Sequence, residues 1–181
     1  MKAHTSLKKN FLIAMPAMDD ETFAKSVVYL YEHSEHGAMG VIINKPSPID
    51  LGQILDHLNI PVPDAPKITE RKVLMGGPVG HEHGMIVYPK HRQGRELTLC
   101  SSKETLVKIA QGEGPQDFLI TLGYASWGPG QLEREISRND WLVAPAHEDI
   151  LFHIDPADRW RLAARHMGIR MESISCLVGH A

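Results

Sequence analysis

A chain of 181 residues favours one domain over residues 1–181, because two separate hydrophobic cores would each be small. Hydrophobic residues at 43% and charged residues at 23% are near the averages of soluble globular proteins, which excludes a disordered or low-complexity chain. The formal net charge of -3 gives no overall attraction to nucleic acid or acidic lipid, so binding to either would need a local basic patch.

Cysteine usage and the amino-terminal segment bear on the cellular location. Cys100 and Cys176 are far apart and lack the spacing of a disulfide framework or a thiolate zinc site, which favours a reducing cytoplasm. Basic residues before the apolar run 11–18 imitate a secretory signal, but Pro16 interrupts the run. We predict an opening strand there, with a cleaved signal as the alternative, and no run is long enough to span a bilayer.

Three strands are predicted at the start of the chain. Residues 11–15 are an apolar run typical of a buried strand, and residues 26–32 are rich in β-branched and aromatic residues. A polar turn at 33–37 ends in glycine and leads to a third strand at 39–44, which predicts a hairpin. An amphipathic helix follows Asp50, which has a glutamine at the spacing of a capping box.

Short strands and helices then follow in irregular order. Further strands are predicted at 72–75, 84–88, 97–100, 118–122 and 141–144. Helices are predicted from a cap at Ser101 or Ser102 to Gly112, over 131–137, and from Asp155 to Gly168. The last is predicted to have a buried stripe of Trp160, Ala163, Ala164 and Met167. This order favours an α+β domain over a doubly wound parallel sheet.

Two histidines at 81 and 83 offer a possible metal site. On a strand, His81 and His83 would lie on the same side within reach of one ion, with His91 or Glu82 as a third ligand. Flanking glycines indicate a turn instead, and a chain with 11 histidines contains such pairs by chance. Since no closed four-ligand spacing exists, we predict solvated loop histidines and no metal or cofactor.

Ser126 lies between a predicted strand and a helix, the position of a nucleophile in α/β-hydrolases. The remaining triad members in that chain order would be Asp149 or Asp155 and then His153 or His166. The strained elbow needs a small residue two positions before the serine, where this sequence has Tyr124. We therefore expect a tight glycine-rich turn with ordinary helix capping.

Three weaker patterns have ordinary structural interpretations. Residues 76–80, Gly-Gly-Pro-Val-Gly, would expose backbone N–H groups to an anion but lack the ending of a phosphate loop, so we predict a turn. Cys100 before a helix start is expected to be inert. Lys90, Arg92 and Arg95 form a basic loop, which we interpret as solvated surface because no nucleic-acid-binding motif accompanies it.

Many short stretches match one known family in order. They are Phe11-Leu-Ile-Ala-Met-Pro16, Ser26-Val-Val-Tyr29, Glu32-His33, Gly37-Ala-Met-Gly40, Asn44-Lys-Pro46, Gly76-Gly-Pro78, Leu122-Gly-Tyr-Ala125, Trp127, Gly130-Gln-Leu-Glu133, Glu135-Ile136, Trp141-Leu142, Ala144-Pro145, Ile150-Leu-Phe152, Asp158-Arg-Trp160 and Gly179-His-Ala181. Together they resemble the YqgE/AlgH family of bacterial proteins over essentially the entire chain.

The resemblance implies a compact α+β fold with a bent or branched, mostly antiparallel sheet, partly barrel-like and surrounded by helices. It implies no enzyme, and one branch of the family carries a transcriptional-regulator label. The family pattern also tolerates glycine where this chain has Ser126 and arginine where it has His83. Both departures weaken the nucleophile and metal interpretations.

The polar, aromatic and glycine positions shared with the family fall at predicted strand ends and turns, where sites concentrate. As ligand- or partner-binding residues we predict His33, Asn44, Gly76, Gly77, Gly123, Tyr124, Trp127, Gln131 and Glu133. The hypothesis is a shallow cleft in which the aromatic residues supply apolar contact area and the polar residues orient a small ligand or a protein partner. The alternative is that the polar residues close turns and cap helices.

Three function classes remain open from the sequence. The preferred one is a non-enzymatic binding or regulatory protein, with any effect on transcription indirect and no nucleic-acid or membrane contact. The alternatives are a hydrolase that uses Ser126 or a His/Glu constellation, and a regulator that binds DNA directly.

Overall fold

The computed structural model describes residues 5–63, 66–90 and 96–177. The strands in these ranges are β1 (Asn10–Ala14), β2 (Val27–Ser34), β3 (Gly37–Ile42), β4 (Pro46–Asp50), β5 (Lys72–Met75), β6 (Val79–Pro89), β7 (Leu97–Cys100), β8 (Leu119–Trp127) and β9 (Trp141–Pro145). The helices are α1 (Leu51–His57), α2 (Pro66–Thr69), α3 (Lys103–Ala110), α4 (Gln131–Ser137), α5 (Glu148–Phe152), α6 (Pro156–Arg165) and α7 (Met171–Leu177). The predicted α+β class is confirmed.

The strands form one branched sheet. The main path runs β4-β5-β8-β3-β2-β1-β9, and β6 pairs with β8 and with β7 to make the branch. Strands β5 and β8 are parallel, and the other described pairs are antiparallel. Within the described chain β4 and β9 end the path without pairing to each other. The branched, mostly antiparallel sheet is confirmed, and its expected barrel-like curling does not reach closure.

Strand β8 is where the sheet divides. Its first half pairs with β6 and β5, whereas Ala125 to Trp127 pair with β3. Gly123 lies between the two halves with a φ of +74°, a conformation that L side chains rarely adopt. A Cβ on Gly123 would also lie 2.8 Å from the carbonyl oxygens of Gly77 and Val79. Glycine here lets one strand serve two branches.

The sheet is covered on both faces. Along β1, Phe11 and Ile13 belong to a core cluster packed under α5 and α6, while Leu12 and Ala14 belong to a second cluster under α4. Because strand side chains alternate between faces, burial on both sides explains the continuous apolar run of β1. A third cluster lies between β5, β6, β8 and the helices α1 and α3.

Two of the predicted helix starts have the expected caps. Asp50 and Gln53 form a reciprocal capping box at α1, and the Asp155 side chain accepts the Ala157 N–H at the start of α6. The predicted stripe of α6 is wrong at its last position, since Met167 is 43% exposed. The helix ends at Arg165, so Met167 falls beyond its buried face. In the described part of the chain, no helix is long and apolar enough to cross a membrane.

Candidate functional site

His33, near the end of β2, is fully engaged inside the fold. Its side chain is 2% exposed; Nδ1 accepts the Leu7 N–H at 2.9 Å, and Nε2 lies 2.9 Å from Oε1 of Glu133 on α4. Since Nδ1 is an acceptor, the ring is neutral with its proton on Nε2, which donates to the carboxylate. His33 thereby joins the segment before β1 to helix α4.

Glu135 on α4 is the centre of a second polar network. Its Oε2 accepts the indole N–H of Trp127 at 2.8 Å and that of Trp141 at 2.9 Å. Its Oε1 accepts Gln131 Nε2 at 2.9 Å, and Gln131 Oε1 accepts the Gly128 N–H at 3.0 Å. One carboxylate therefore holds two buried indoles in place.

Trp127 cannot supply the apolar contact area that was predicted for it. The residue is 4% exposed and packs with Phe23 and Trp141, with ring centroids 6.0 Å apart in both pairs. The Trp127–Trp141 pair is edge-to-face and the Phe23–Trp127 pair is tilted, and at 4% exposure the Trp127 ring is part of the core rather than of an open recognition surface. Phe23, Trp141 and Glu135 were not among the predicted site residues, although their aromatic and acidic character was visible.

Asn44 ties the exit of β3 to the entry of β2. Its Oδ1 accepts the Val27 N–H at 2.7 Å and its Nδ2 donates to the Lys25 carbonyl at 2.8 Å. The neighbouring Lys45 donates to the carbonyls of Glu21 and Thr22. Burial lowers the pKa of Lys45, and the nearby charge of Asp20 offsets part of this effect. Both side chains close the loop that precedes β2.

Gly76, Gly77 and Gly123, the glycine cluster, allow β5 and the start of β6 to pack directly on β8. A Cβ on Gly77 would lie 2.1 Å from the carbonyl carbon of Tyr124, and one on Gly76 would lie 2.2 Å from the Gly123 oxygen. The Gly76 N–H donates to the Leu122 carbonyl at 2.7 Å, so it is occupied by the backbone. Residues 79 and 80 already belong to β6, so the turn predicted over 76–80 is instead a short bend that leads from β5 into that strand.

Tyr124 is half-buried against the first core cluster beside Tyr31. The pKa of Tyr31 is raised to about 12, mainly by burial and to a smaller extent by electrostatic interaction with Glu32 and Tyr124. The Tyr31 phenol therefore keeps its proton at neutral pH.

The nine predicted residues do not line one cleft. His33, Trp127, Gln131 and Glu133 meet at α4, which we call the α4 face. Asn44 contacts Val27 at the opposite end of β2, roughly 20 Å from His33 at the usual rise of a strand. The glycine cluster and Tyr124 lie along β8 between these ends.

Ser126 lies inside β8, opposite Met39 of β3, and not on a strand-to-helix elbow. No hydrogen bond between described residues joins it to a histidine. His153 instead contacts Asp117 and Asp149, each at 3.2 Å. The hydrogen bond to Asp149 raises the pKa of His153, and this effect is larger than the lowering caused by burial. Asp117 precedes β8, and Ser126 lies seven residues after Leu119, the first residue of β8, roughly 23 Å along the strand, so the predicted triad does not assemble around His153. The alternative histidine, His166, packs against His147, with ring centroids 4.8 Å apart.

The histidine pair lies in a bulge of β6. The pairing of β6 with β8 shifts between Val79 and Gly84, and His81 and His83 are both exposed there. His83 Nδ1 lies 3.1 Å from Glu82 Oε1. No group of three or more metal-binding side chains occurs in the described ranges. The third candidate, His91, and the basic residues Arg92 and Arg95 lie outside those ranges, as does the Cys176 side chain.

A cleft of about 700 Å³ opens between α1, β6 and the start of α3, at a place where no ligand-binding residue was predicted. We call it the α1–α3 cleft. Its floor is apolar because Ile86 pairs with Ile120 and Gly84 pairs with Leu122, so alternate side chains of two adjacent strands face the same space. Leu106 of α3 forms a wall, opposite α1.

Gly84 keeps the floor of this cleft open. A Cβ placed on Gly84 would meet nothing within 4 Å, and its φ is not in the positive region. The residue thus leaves space that a side chain would occupy, unlike the tightly packed glycines 76, 77 and 123.

The mouth of the cleft is polar. Three exposed side chains reach it from different walls: His57 from the last turn of α1, His83 from the bulge of β6, and Lys103 from the first position of α3. Ser102 also lines the cleft, and its hydroxyl accepts the Thr105 N–H at 3.3 Å as the cap of α3. An apolar floor with a few polar groups at the entrance is the usual form of a small-molecule site.

The sheet, its covering helices and the cleft define an α+β domain with a single branched sheet. Among curated proteins, UPF0301 protein from Coxiella burnetii is 50% identical over 176 residues, which covers 97% of each chain. UPF0301 protein from Nitrosococcus oceani is 41% identical over 189 residues, which covers 100% of both chains. The AlgH-like family profile matches residues 11–172, and the chain therefore belongs to this bacterial family.

Solved structures agree with this assignment. The solution structure of the AlgH protein from Pseudomonas aeruginosa covers 100% of this chain with a TM-score of 0.77 and 39% sequence identity. Protein DIP2367 from Corynebacterium diphtheriae, at 24% identity and a TM-score of 0.70 over 92% of this chain, shows the same fold. The resemblance found in the sequence is confirmed.

Proposed function

We propose that this protein is a non-enzymatic binding protein that takes a small, largely apolar molecule into the α1–α3 cleft. The observation that supports the proposal is an open cleft of about 700 Å³ with isoleucine and leucine side chains in its lining. Pockets of roughly 300 to 1,000 Å³ accommodate drug-sized ligands. An apolar concavity of this size leaves carbon surface in water, and a ligand that covers it gains the free energy of that burial.

Binding is favoured over hydrolysis by how the polar groups around the cleft are used. The hydroxyl of Ser102 caps α3, and His83 is directed at Glu82. A nucleophile needs a base within hydrogen-bonding distance, and no hydrogen bond between the described residues of the cleft joins a hydroxyl group to a histidine or a carboxylate. The α4 face offers no better place for a reaction, because its carboxylates already accept hydrogen bonds from the protein.

Any effect on transcription would, in this proposal, be indirect and follow the occupancy of the cleft. A net charge of -3 supports a protein that does not compete for DNA phosphates or acidic lipid on its own. We place this activity in the cytoplasm. A protein partner is the second class of occupant for the same surface.

The experiment uses N-phenyl-1-naphthylamine, an uncharged probe that fluoresces in apolar sites, with Gly84→Ala, Gly84→Val and Gly84→Leu. Because the space beside Gly84 is open and its backbone conformation is ordinary, each variant should fold. The proposal predicts that the wild-type protein binds the probe and that affinity falls stepwise as the side chain grows, about tenfold or more for leucine.

Ser126→Val is the matched control, since it adds apolar bulk at an exposed position of β8 outside the cleft. Its probe affinity should equal that of the wild-type protein. Probe binding that all three Gly84 variants retain at full strength would exclude the cleft as the binding site, and absence of binding by the wild-type protein would overturn the proposal.

A further inference from the structure

Lys103, at the mouth of the α1–α3 cleft, forms no ion pair with a carboxylate of the described residues. The described ion pairs of lysine join Lys90 to Glu96 and Lys108 to Glu104. Lys103 has no such carboxylate partner among the described residues, although Glu104 is next to it in sequence. The Glu104 carboxylate is turned to Lys108 at 2.8 Å, which leaves the Lys103 ammonium free to meet a ligand.

One carboxylate, Glu82, also lines the cleft, and its charge must be weighed against that of Lys103. Glu82 Oε1 lies 3.1 Å from His83 Nδ1, so the carboxylate already has a donor next to it. The other polar groups at the mouth, including His57 and Gln53, are able to donate hydrogen bonds. The entrance therefore presents one cation without a described ion-pair partner, several hydrogen-bond donors, and one carboxylate that lies beside a histidine of its own strand.

The floor of the cleft has the opposite character. Ile86, Leu106 and Ile120 are buried at the base, and Ile54 and Leu58 line the α1 side. None of these side chains can solvate a charged or strongly polar group. A ligand that satisfies both parts needs a hydrocarbon portion at the floor and a charged end at the mouth.

On the basis of the function proposed above, we infer that the ligand is a single-chain amphiphile with an anionic headgroup, a carboxylate or a phosphate. The hydrocarbon chain lies on Ile86 and Ile120, and the headgroup meets Lys103 with His57 and His83 beside it. Lys103 is the residue that selects the sign of the headgroup charge, because a cationic headgroup would be repelled and a neutral one would lose the ionic contact.

The test is a calorimetric titration of the full chain with four ligands that share a ten-carbon chain. They are decanoate, decyl phosphate, decan-1-ol and decyltrimethylammonium, each used below its micelle concentration. We expect an anionic ligand to bind about fivefold or more tightly than the alcohol, the size of one partly exposed ion pair, and the cation to bind most weakly. Whether decanoate or decyl phosphate binds more tightly identifies the headgroup.

Lys103→Glu tests the residue assignment. The variant should fold, because Lys103 is exposed and an acidic residue is favourable in the first turn of a helix. It should reverse the preference, so that decyltrimethylammonium binds more tightly than decanoate. Lys8→Glu makes the same change of net charge at an exposed residue outside the cleft and should leave the preference unchanged.

The possible results separate this inference from the function on which it rests. Equal affinity for all four ligands, or a preference that Lys103→Glu does not alter, would overturn the anionic headgroup while leaving an apolar binding cleft intact. Binding of none of the ten-carbon ligands, together with no binding of the uncharged naphthyl probe, would overturn the proposed function itself.

Discussion

The α4 face and the α1–α3 cleft both border strand β8, yet they use their side chains in opposite ways. At the α4 face, His33 accepts a hydrogen bond from the segment before β1, and Glu135 accepts hydrogen bonds from two buried indoles. At the cleft, Ile86 of β6 and Ile120 of β8 line an open space, and Lys103 has no carboxylate partner among the described ion pairs. The polar groups of the α4 face therefore have partners within the protein, whereas the cleft has open space and a cation that a ligand can contact.

This difference shows why residue type alone is a poor guide to a site. Histidine, tryptophan, glutamine and glutamate are typical recognition residues, but here they join secondary-structure elements to one another. The cleft is made of aliphatic residues that are typical of a core. A binding site is recognised by side chains that lack hydrogen-bond or packing partners in the free protein. Such side chains can be identified only from the contacts in the structure.

The glycines provide the largest expected contrast between packed and open space. Gly77→Ala should lower the free energy of unfolding by about 4 kcal/mol or more, because the new Cβ would lie 2.1 Å from the backbone of Tyr124. Gly84→Ala, the matched change, should be neutral or stabilise by about 0.5 kcal/mol. Urea unfolding of both variants measures the difference, and similar stabilities would show that the two glycines do not differ in packing.

Glu135→Ala is expected to have the next largest effect. It removes the acceptor of two indole N–H groups on side chains that are 4% exposed, which should cost about 2 to 4 kcal/mol. Urea unfolding is again the measurement. Glu135→Gln, which retains an acceptor oxygen, should recover part of the loss.

The control for this change is Glu70→Ala, at an exposed glutamate after α2. Its free energy of unfolding should lie within about 0.5 kcal/mol of the wild-type value. If Glu135→Ala were equally mild, the indoles would have to find other acceptors, and the α4 face would not be the closed network inferred from the contacts.

His33→Leu should produce a smaller loss, of about 1 to 3 kcal/mol, since it removes the acceptor of the Leu7 N–H and the hydrogen bond between His33 and Glu133. Amide hydrogen exchange should accelerate at Leu7 in the variant. Unchanged exchange at Leu7 would mean that His33 does not hold the segment before β1, and a recognition role for this histidine would regain support.

Much of the architecture follows from patterns in the sequence. The apolar run of β1, the hairpin of β2 and β3, and the capping residues Asp50 and Asp155 were all predicted from local chemistry. Each depends on residues close together in the chain, where alternation, turn composition and capping act directly. The family resemblance added the branched sheet, which no local pattern contains.

Other elements were missed for physical reasons. Strand β4 contains Pro46 and Pro48, which local rules assign to a loop, but it lies at the edge of the sheet, where proline is tolerated. Strand β8 was predicted to end at 122, because Gly123 normally ends a strand; here it bends one that continues to Trp127. Both errors come from tertiary context.

The candidate site was harder to predict than the fold. The cleft forms where β6 and β8 pair and α1 and α3 flank them, which brings Ile54, Ile86, Leu106 and Ile120 together from distant parts of the chain. Each of these residues is an ordinary core residue in its own segment. The one local signal was Gly84, a glycine at the start of a predicted strand, where the missing side chain allows a ligand or another backbone to approach closely.

Amide chemical-shift mapping with N-phenyl-1-naphthylamine compares the two regions in one experiment. The largest changes should occur at Ile86, Leu106 and Ile120 of the cleft, while the amides of Gln131 and Glu133 at the α4 face should not move. Shifts centred on Gln131 and Glu133, with the cleft amides unchanged, would contradict the assignment of the cleft as the binding site.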